Sequence, residues 1–288
     1  MSALVASTRA ELLRLRRWPA MWVLLAVWVA LNVTFGYVFD WIAYRSGSAP
    51  GPGAPPGTPV GGALLPGLLP PAAPVALVQG MPVFGGALVL VLGALAVGSG
   101  YGWGTWKTVF TQGPSRGAAI GGTLTALAVV VTGLVLVTAA VDLGASVLVA
   151  TVEGQPVDLP SVGDWARAVG TGLLVLGTWA MAGVLVGVLT RSPALGVGLG
   201  LVWALVVETL LRGVGGVLGG LTVITDHLPG TAAGSLVGAL SRAQGGAAQG
   251  TPGVLDVLSG PASAGWLAAY LVGFTVVTLA VVTRRDVS

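Results

Sequence analysis

The sequence contains no cysteine, a single histidine, a single lysine and few charged residues of any kind. The absence of cysteine excludes a disulfide framework, a thiolate metal site and a cysteine nucleophile. One histidine, His227, cannot form a histidine-rich zinc or haem site. Charged residues make up 8% of the 288 positions, against about 25% in a typical soluble domain. A surface of this composition is solvated by lipid rather than by water, so we expect a membrane protein.

Apolar runs long enough to cross a bilayer recur along the chain. A hydrocarbon core about 30 Å thick needs roughly 20 apolar helical residues. Six runs approach or exceed this length, over residues 20–39, 81–99, 118–141, 168–190, 194–211 and 264–282. The sequence therefore predicts one all-α integral membrane domain over residues 1–288, with six transmembrane helices surrounded by the lipid bilayer.

Two long segments between these runs are rich in glycine and proline, and we predict external loops over residues 40–80 and 213–262. In the first loop, residues 46–74 carry prolines that a regular helix cannot hold. In the second, Pro229 begins a stretch that favours a short re-entrant or interfacial helix, because proline suits a first helical turn. A shorter external connection is expected over residues 142–164.

The basic residues are distributed unevenly over this arrangement. Six spans put both chain ends on one side of the membrane, and nine of the thirteen basic residues then fall on that side. They are Arg9, Arg14, Arg16, Arg17, Lys107, Arg116, Arg191, Arg284 and Arg285. Because positively charged loops stay in the cytoplasm, both termini are predicted to be cytoplasmic. No basic stripe on a soluble face remains for binding nucleic acid.

Residues 2–17 are predicted to form an amphipathic helix on the membrane surface. Residues three or four apart fall on the same face of a helix. One face would carry Leu4, Thr8, Leu12 and Leu15, and the opposite face would carry Ser7, Glu11, Arg14 and Arg17. A basic amphipathic helix rests at the level of the headgroups, with arginine near anionic lipid. The alternative is a positively charged flank that only sets the topology.

Glu208 is the one acidic residue well inside a predicted span. An ionisable group at mid-membrane costs roughly 2.5–3.5 kcal/mol and needs a partner or a polar cavity. Arg212 lies four residues on, in the favourable order for an ion pair on one helix face. The two residues are therefore a candidate intramembrane polar site. It is either a substrate or proton site or, as we favour, a paired group near the outer end of the span.

Motifs for catalysis are absent from the sequence. The phosphate-binding loop GxxxxGK[ST] does not occur, and the only lysine, Lys107, stands in GTWKT. A serine hydrolase would have to use His227, but no GxSxG elbow is present. We therefore expect no enzyme activity and no cofactor in this chain.

The connection between the second and third predicted spans is longer than a tight turn needs. Residues 98–117 read GSGYGWGTWKTVFTQGPSRG and combine aromatic residues, threonines and two cations. An amphipathic segment of this kind either docks a soluble partner on the cytoplasmic face or anchors the chain at the interface. The residues alone leave both interpretations open.

This segment resembles the permease subunits of ATP-binding cassette exporters of the type-2 family. Those proteins carry a similar Gly-Thr-x-Lys … Pro-x-Arg stretch between their second and third spans, and here it reads GTWKTVFTQGPSR, residues 104–116. The amino-terminal STRAELLRLRRWPAMW resembles the family's elbow helix, and TRRD at residues 283–286 resembles its usual ending. The similarity of layout covers the whole chain, whereas motif similarity covers about residues 98–116.

The resemblance implies a six-span half of a transmembrane unit in the plasma membrane. A second permease half, expected as a homodimer, would pair with it. Each half would bind a separate cytoplasmic ATPase subunit, which carries ATP and Mg. Short cytoplasmic helices would take the stroke from that ATPase. The residues at or near this coupling surface would be Gly104, Thr105, Lys107, Pro114 and Arg116.

Two positions depart from the family pattern. Gly100 stands where members often have glutamate, and Gly122 or Thr123 stands where many have lysine. If those charges contribute to the ATPase contact, this chain couples differently.

Two other functions also fit the residues. One is a membrane anchor or immunity protein that transports nothing, and the other is a secondary transporter centred on Glu208.

Overall fold

The computed structural model describes residues 2–49, 59–111, 115–218, 220, 222–245 and 251–284. These residues are largely helical and contain no strand. Among them, six helices are long and apolar enough to cross a membrane, and we number them as the first to sixth spans. They are Pro19–Ser46, Pro70–Gly102, Arg116–Val152, Val162–Thr190, Pro193–Gly215 and Gly260–Arg284. The predicted all-α, six-span membrane fold is thereby confirmed.

Three further helices lie between or before the spans. We call them the amino-terminal helix (Ala3–Arg16), the connecting helix (Thr105–Thr111) and the inner helix (Pro229–Ala243). Shorter helical turns occupy Gly61–Leu64, Leu65–Leu68 and Thr222–Thr225.

The spans extend beyond the apolar runs that predict them, because hydropathy marks only the part of a helix that lipid tails surround. The third span covers about 55 Å at 1.5 Å per residue, well beyond a core of about 30 Å. Its far end is bound to the end of the first span. Glu153 accepts hydrogen bonds there from Tyr44 (2.9 Å) and Arg45 (3.2 Å). The connection predicted over residues 142–164 therefore shrinks to residues 153–161.

The second span begins at Pro70, within the loop predicted over residues 40–80. The prolines are accommodated because Pro70 and Pro74 stand in the first turns of separate helical segments, where no backbone N–H is required. The residues that follow, Ala73–Val78, are all buried. A helix satisfies the backbone polar groups of this buried stretch where no water is available, which explains why it is helical.

The inner helix occupies part of the second predicted external loop, residues 213–262. It starts at Pro229, and most of its residues are buried against the spans. Gly234 and Gly238 lie directly against the chain at Gly253 and Leu255, where any side chain would overlap a backbone carbonyl. The short helix predicted to begin at Pro229 is therefore present, and its small residues let it pack inside the bundle.

The second and fourth spans form the centre of the bundle. In their most apolar windows, 61% and 67% of residues are buried, compared with 17% in the first, fifth and sixth spans. The two central helices touch through backbone. Gly93 lies against the Ala180 carbonyl, and Gly183 lies against the Leu90 carbonyl. Gly187, one turn after Gly183, likewise lies against the Ala94 carbonyl, so these glycines let the two helices pack closely.

Gly183→Ala should destabilise the protein, because the added methyl group would meet the Leu90 backbone, which cannot rotate away. We expect a loss of about 1–3 kcal/mol, typical of overpacking. Gly198→Ala is the matched control, since no heavy atom lies within 4 Å of a methyl group there. Thermal unfolding in detergent should show a lower transition only for Gly183→Ala. Equal transitions would contradict the proposed contact.

Candidate functional site

The connecting helix turns an aromatic face toward the protein and a polar face outward. Trp106 is buried, its indole N–H donates to the Val97 carbonyl (3.0 Å), and its ring stacks on Phe110 at 5.5 Å. Thr105 and Lys107 are exposed. The helix is thus held on the end of the second span while its cation faces away.

The turn before the connecting helix depends on glycine. Gly104 adopts φ +67°, in the left-handed region that other residues rarely enter. The Lys107 amide then donates to the Gly104 carbonyl (3.2 Å), which starts the helix. Gly104 therefore fixes where Thr105 and Lys107 lie relative to the second span.

Arg116 is the first residue of the third span. Its guanidinium carbon lies 5.8 Å from the centre of the Phe110 ring. Ser115 precedes it as the helix cap, with the hydroxyl oxygen accepting from the Ala118 amide (3.2 Å). Arg116 therefore meets the connecting helix through Phe110. Pro114, the remaining residue of the predicted coupling surface, lies outside the described residues.

The two departures from the family pattern are each filled by a neighbouring side chain. At Gly100, any side chain would overlap the indole of Trp106. At Gly122, a side chain would overlap Ser7 of the amino-terminal helix. Thr123 is buried, and its hydroxyl donates to the Ala119 carbonyl (3.4 Å). Side chains of the connecting and amino-terminal helices therefore already occupy the space that a charged residue at either glycine would need.

The amino-terminal helix lies along the start of the third span. Ser7 donates to the Ala119 carbonyl (3.2 Å), and Arg14 donates to the Ala96 carbonyl (2.7 Å). Glu11 pairs with Arg14 at 2.8 Å. Three residues of the predicted polar face thus contact the protein. The predicted apolar face is divided, because Leu15 is buried against the protein whereas Leu4 is exposed.

One apolar cluster joins the elements on the side that the sequence predicts to be cytoplasmic. It contains Leu15 of the amino-terminal helix, Trp106 of the connecting helix and Ile120 of the third span. Met181 and Val188 of the fourth span belong to it as well. A displacement of the connecting helix would therefore press on the centre of the bundle.

Glu208 is fully buried, and both its carboxylate oxygens accept hydrogen bonds. The Trp203 indole N–H donates to Oε1 (3.2 Å), and the Gly230 backbone N–H donates to Oε2 (2.8 Å). Gly230 is the second residue of the inner helix, so the carboxylate fixes that helix to the fifth span. A carboxylate suits a helix start, because the free N–H groups there carry partial positive charge.

The expected ion pair of Glu208 with Arg212 is not among the ion pairs of the described residues. Arg212 donates to the Thr209 hydroxyl instead (3.4 Å). The two residues do lie on one helix, as the sequence predicts. The carboxylate instead binds the backbone N–H of Gly230, which is 22 residues away in the chain and could not be identified from local spacing.

Sequence reasoning missed Asp142, which it placed in an external connection. In the structure Asp142 lies within the third span and is completely buried. Asn32 of the first span donates to its Oδ1 (2.6 Å). The available signal was Asn32, an amide within an apolar run, since a buried amide requires a polar partner.

Glu208→Gln should destabilise the chain by about 1–3 kcal/mol, because an amide offers one acceptor to two donors and leaves an N–H facing another N–H. Arg212→Gln should change stability by less than about 0.5 kcal/mol, as for an exposed polar contact. Trp203→Phe removes one donor, so it should lessen the effect of Glu208→Gln in a double-mutant cycle of thermal unfolding. A larger effect from Arg212→Gln would contradict these contacts.

Burial in the docked amino-terminal helix raises the pKa of the Glu11 carboxyl above its usual 4.5, against the opposing effect of Arg14. The folded chain therefore holds this proton more tightly than the unfolded chain. The resulting stability is fully present below pH 4.5 and is lost as pH rises through the folded-state pKa. Glu11→Gln removes that loss.

We expect the melting temperature of Glu11→Gln, relative to the natural chain, to increase as pH is raised from about 4 to about 7. Glu11→Asp keeps an ionisable group and serves as the control that retains the pH dependence. A difference that stays constant with pH would refute the assignment.

Comparison with protein families and with curated proteins identified no relative of this chain. No family model matches the chain, and no curated protein matches it significantly. A functional assignment therefore rests on the residues and contacts described above.

Proposed function

We propose that this chain is the transmembrane subunit of an ATP-driven exporter. It pairs with a second permease half, as a homodimer, and each half binds a separate ATPase subunit on the cytoplasmic side. The observation that carries this proposal is the connecting helix, which exposes Lys107 while Trp106 fixes it to the bundle. A short rigid helix that offers polar groups outward suits docking by a soluble protein.

The packing around the connecting helix also supports the proposal, because it would transmit a movement of the ATPase to the spans. Trp106 belongs to the apolar cluster that includes Leu15, Ile120 and the fourth span. Arg14 ties the amino-terminal helix to the end of the second span. Because packed interiors move as units rather than deform gradually, pressure on the connecting helix would displace several helices together. Such a linkage is what an externally driven transporter requires.

The division of labour follows from the sequence. The chain contains no GxxxxGK[ST] loop, so ATP and Mg would be held by the partner subunit. The excess of basic residues on the side of the chain ends favours cytoplasmic termini. The plasma-membrane location is part of the exporter proposal. On this topology the connecting helix, the amino-terminal helix and both termini share the face on which the ATPase would bind.

A secondary transporter centred on Glu208 is less well supported. Both oxygens of Glu208 accept protein N–H groups, and one of these holds the inner helix in place. A transport site has to exchange its ligand, whereas these contacts are structural. A membrane anchor without transport is compatible with the fold, and it is separated from the exporter by the following experiment.

We expect a soluble ATPase that carries a phosphate-binding loop to co-purify with this chain from native membranes. Lys107→Glu should reduce its recovery by about tenfold or more, a loss on the order of 1.4 kcal/mol of binding free energy. Arg167→Glu is the matched control, since it makes the same charge change on an exposed residue at the opposite ends of the spans. Recovery of no ATPase, or equal recovery with Lys107→Glu, would refute the proposal.

A further inference from the structure

A row of polar contacts joins the first span to the third. The Trp28 indole N–H donates to the Thr138 hydroxyl (3.0 Å), and the Asn32 amide donates to Asp142 Oδ1 (2.6 Å). The Tyr37 hydroxyl donates to the Asp142 backbone carbonyl (3.1 Å). All three contacts are buried. Together they form a polar seam, the name we use for these five side chains.

A π-helical turn keeps the first span in register with this seam. Trp28 and Asn32 are four residues apart and share a face of a regular helix. Tyr37 follows Asn32 by five residues, which would turn it about 140° away at 100° per residue. The wider turn at Thr34–Val38 absorbs the extra residue and returns Tyr37 to Asp142. Such turns are frequent at functional sites.

Asp142 is unusual within the seam because one of its oxygens has no hydrogen-bond partner. Its side chain is fully buried, and in the described part of the chain no donor reaches Oδ2. The two nearest hydroxyls on the same helix are committed elsewhere. Thr138 donates to the Leu134 carbonyl (2.8 Å), and Ser146 donates to the Leu143 carbonyl (2.9 Å).

No cation neutralises Asp142 either, among the ion pairs of the described residues. On the first span, Tyr37 contacts Asp142, and Arg45 is paired with Glu153. On the fourth span, Arg167 is paired with Asp164. The start of the second span, Pro70–Gln79, contributes no titratable side chain. A buried carboxylate that has no counter-ion and an oxygen without a donor is strongly disfavoured, and the group takes up a proton instead. Glu208 differs, because both of its oxygens accept N–H groups.

We propose that Asp142 is an intramembrane proton-binding site. Its carboxyl carries the proton on Oδ2, and Oδ1 remains the acceptor for Asn32. A metal cation does not fit the same place, because the Asn32 amide N–H group points at the carboxyl and would repel it. This inference does not depend on the proposed exporter function, since it follows only from the contacts between the first and third spans.

The site has a consequence for motion. Separating the first span from the third would break the Asn32 bond and open Oδ2 to water, where the carboxyl would ionise. Proton release is therefore linked to opening of the seam, and by the same linkage an ionised Asp142 favours the separated arrangement. Asparagine in place of Asp142 would keep the uncharged seam but lose the proton.

Infrared spectroscopy of the purified chain in lipid bilayers at neutral pH tests the proposal. We expect a carboxylic acid C=O band that Asp142→Asn abolishes and that Asn32→Leu shifts, because the hydrogen bond to Oδ1 is lost. Asp158→Asn, the same change at an exposed carboxyl, should leave the band in place. Asp142→Asn should also fold with a melting temperature within a few degrees of the natural chain.

If Asp142 is ionised instead, Asp142→Asn will abolish a carboxylate band and leave the carboxylic acid band in place. That outcome, or an acid band that Asn32→Leu leaves unshifted, would overturn the proposal. Should Asp142→Asn fail to fold, the Asn32→Leu shift decides the matter, because that variant keeps the carboxyl.

Discussion

Backbone contact between the second and fourth spans is the interaction on which the remaining structure depends. Gly93 and Gly183 let each helix lie against a carbonyl of the other, and no larger residue fits at either place. Among lipid tails, which are as apolar as leucine, helices gain little from hydrophobic burial and associate through close packing instead. The two central spans thereby provide the surface on which the peripheral spans, the inner helix and the connecting helix are arranged.

Polar side chains then fix the peripheral elements, since hydrocarbon offers no alternative hydrogen bonds. Glu208 holds the inner helix to the fifth span, and Asn32 holds the first span to the third through Asp142. On the side of the chain ends, Arg14 holds the amino-terminal helix to the second span. The two buried carboxyl groups differ in their hydrogen bonds. Both oxygens of Glu208 accept an N–H group, whereas Oδ2 of Asp142 has no partner among the described residues, which makes Asp142 the candidate proton-binding group.

The proposed exporter function links these features through the cytoplasmic face. The connecting helix is short, is fixed by Trp106 and shares an apolar cluster with the amino-terminal helix. Trp106 and Ser7 pack against Gly100 and Gly122, where the permeases that the sequence resembles would carry charges. On this proposal, contact with an ATPase would therefore depend on Lys107 and the exposed threonines.

The sequence by itself determined the membrane character and the number of helices long and apolar enough to span the bilayer. Hydropathy and charge are local properties, so they identify an apolar run such as residues 168–190 without knowledge of the fold. Helix ends, the burial of the inner helix and the partners of Glu208 and Asp142 were decided only by the tertiary structure. The physical reason is that each depends on residues far apart in the chain. Gly230 reaches Glu208 across 22 positions, and Asn32 reaches Asp142 across 110.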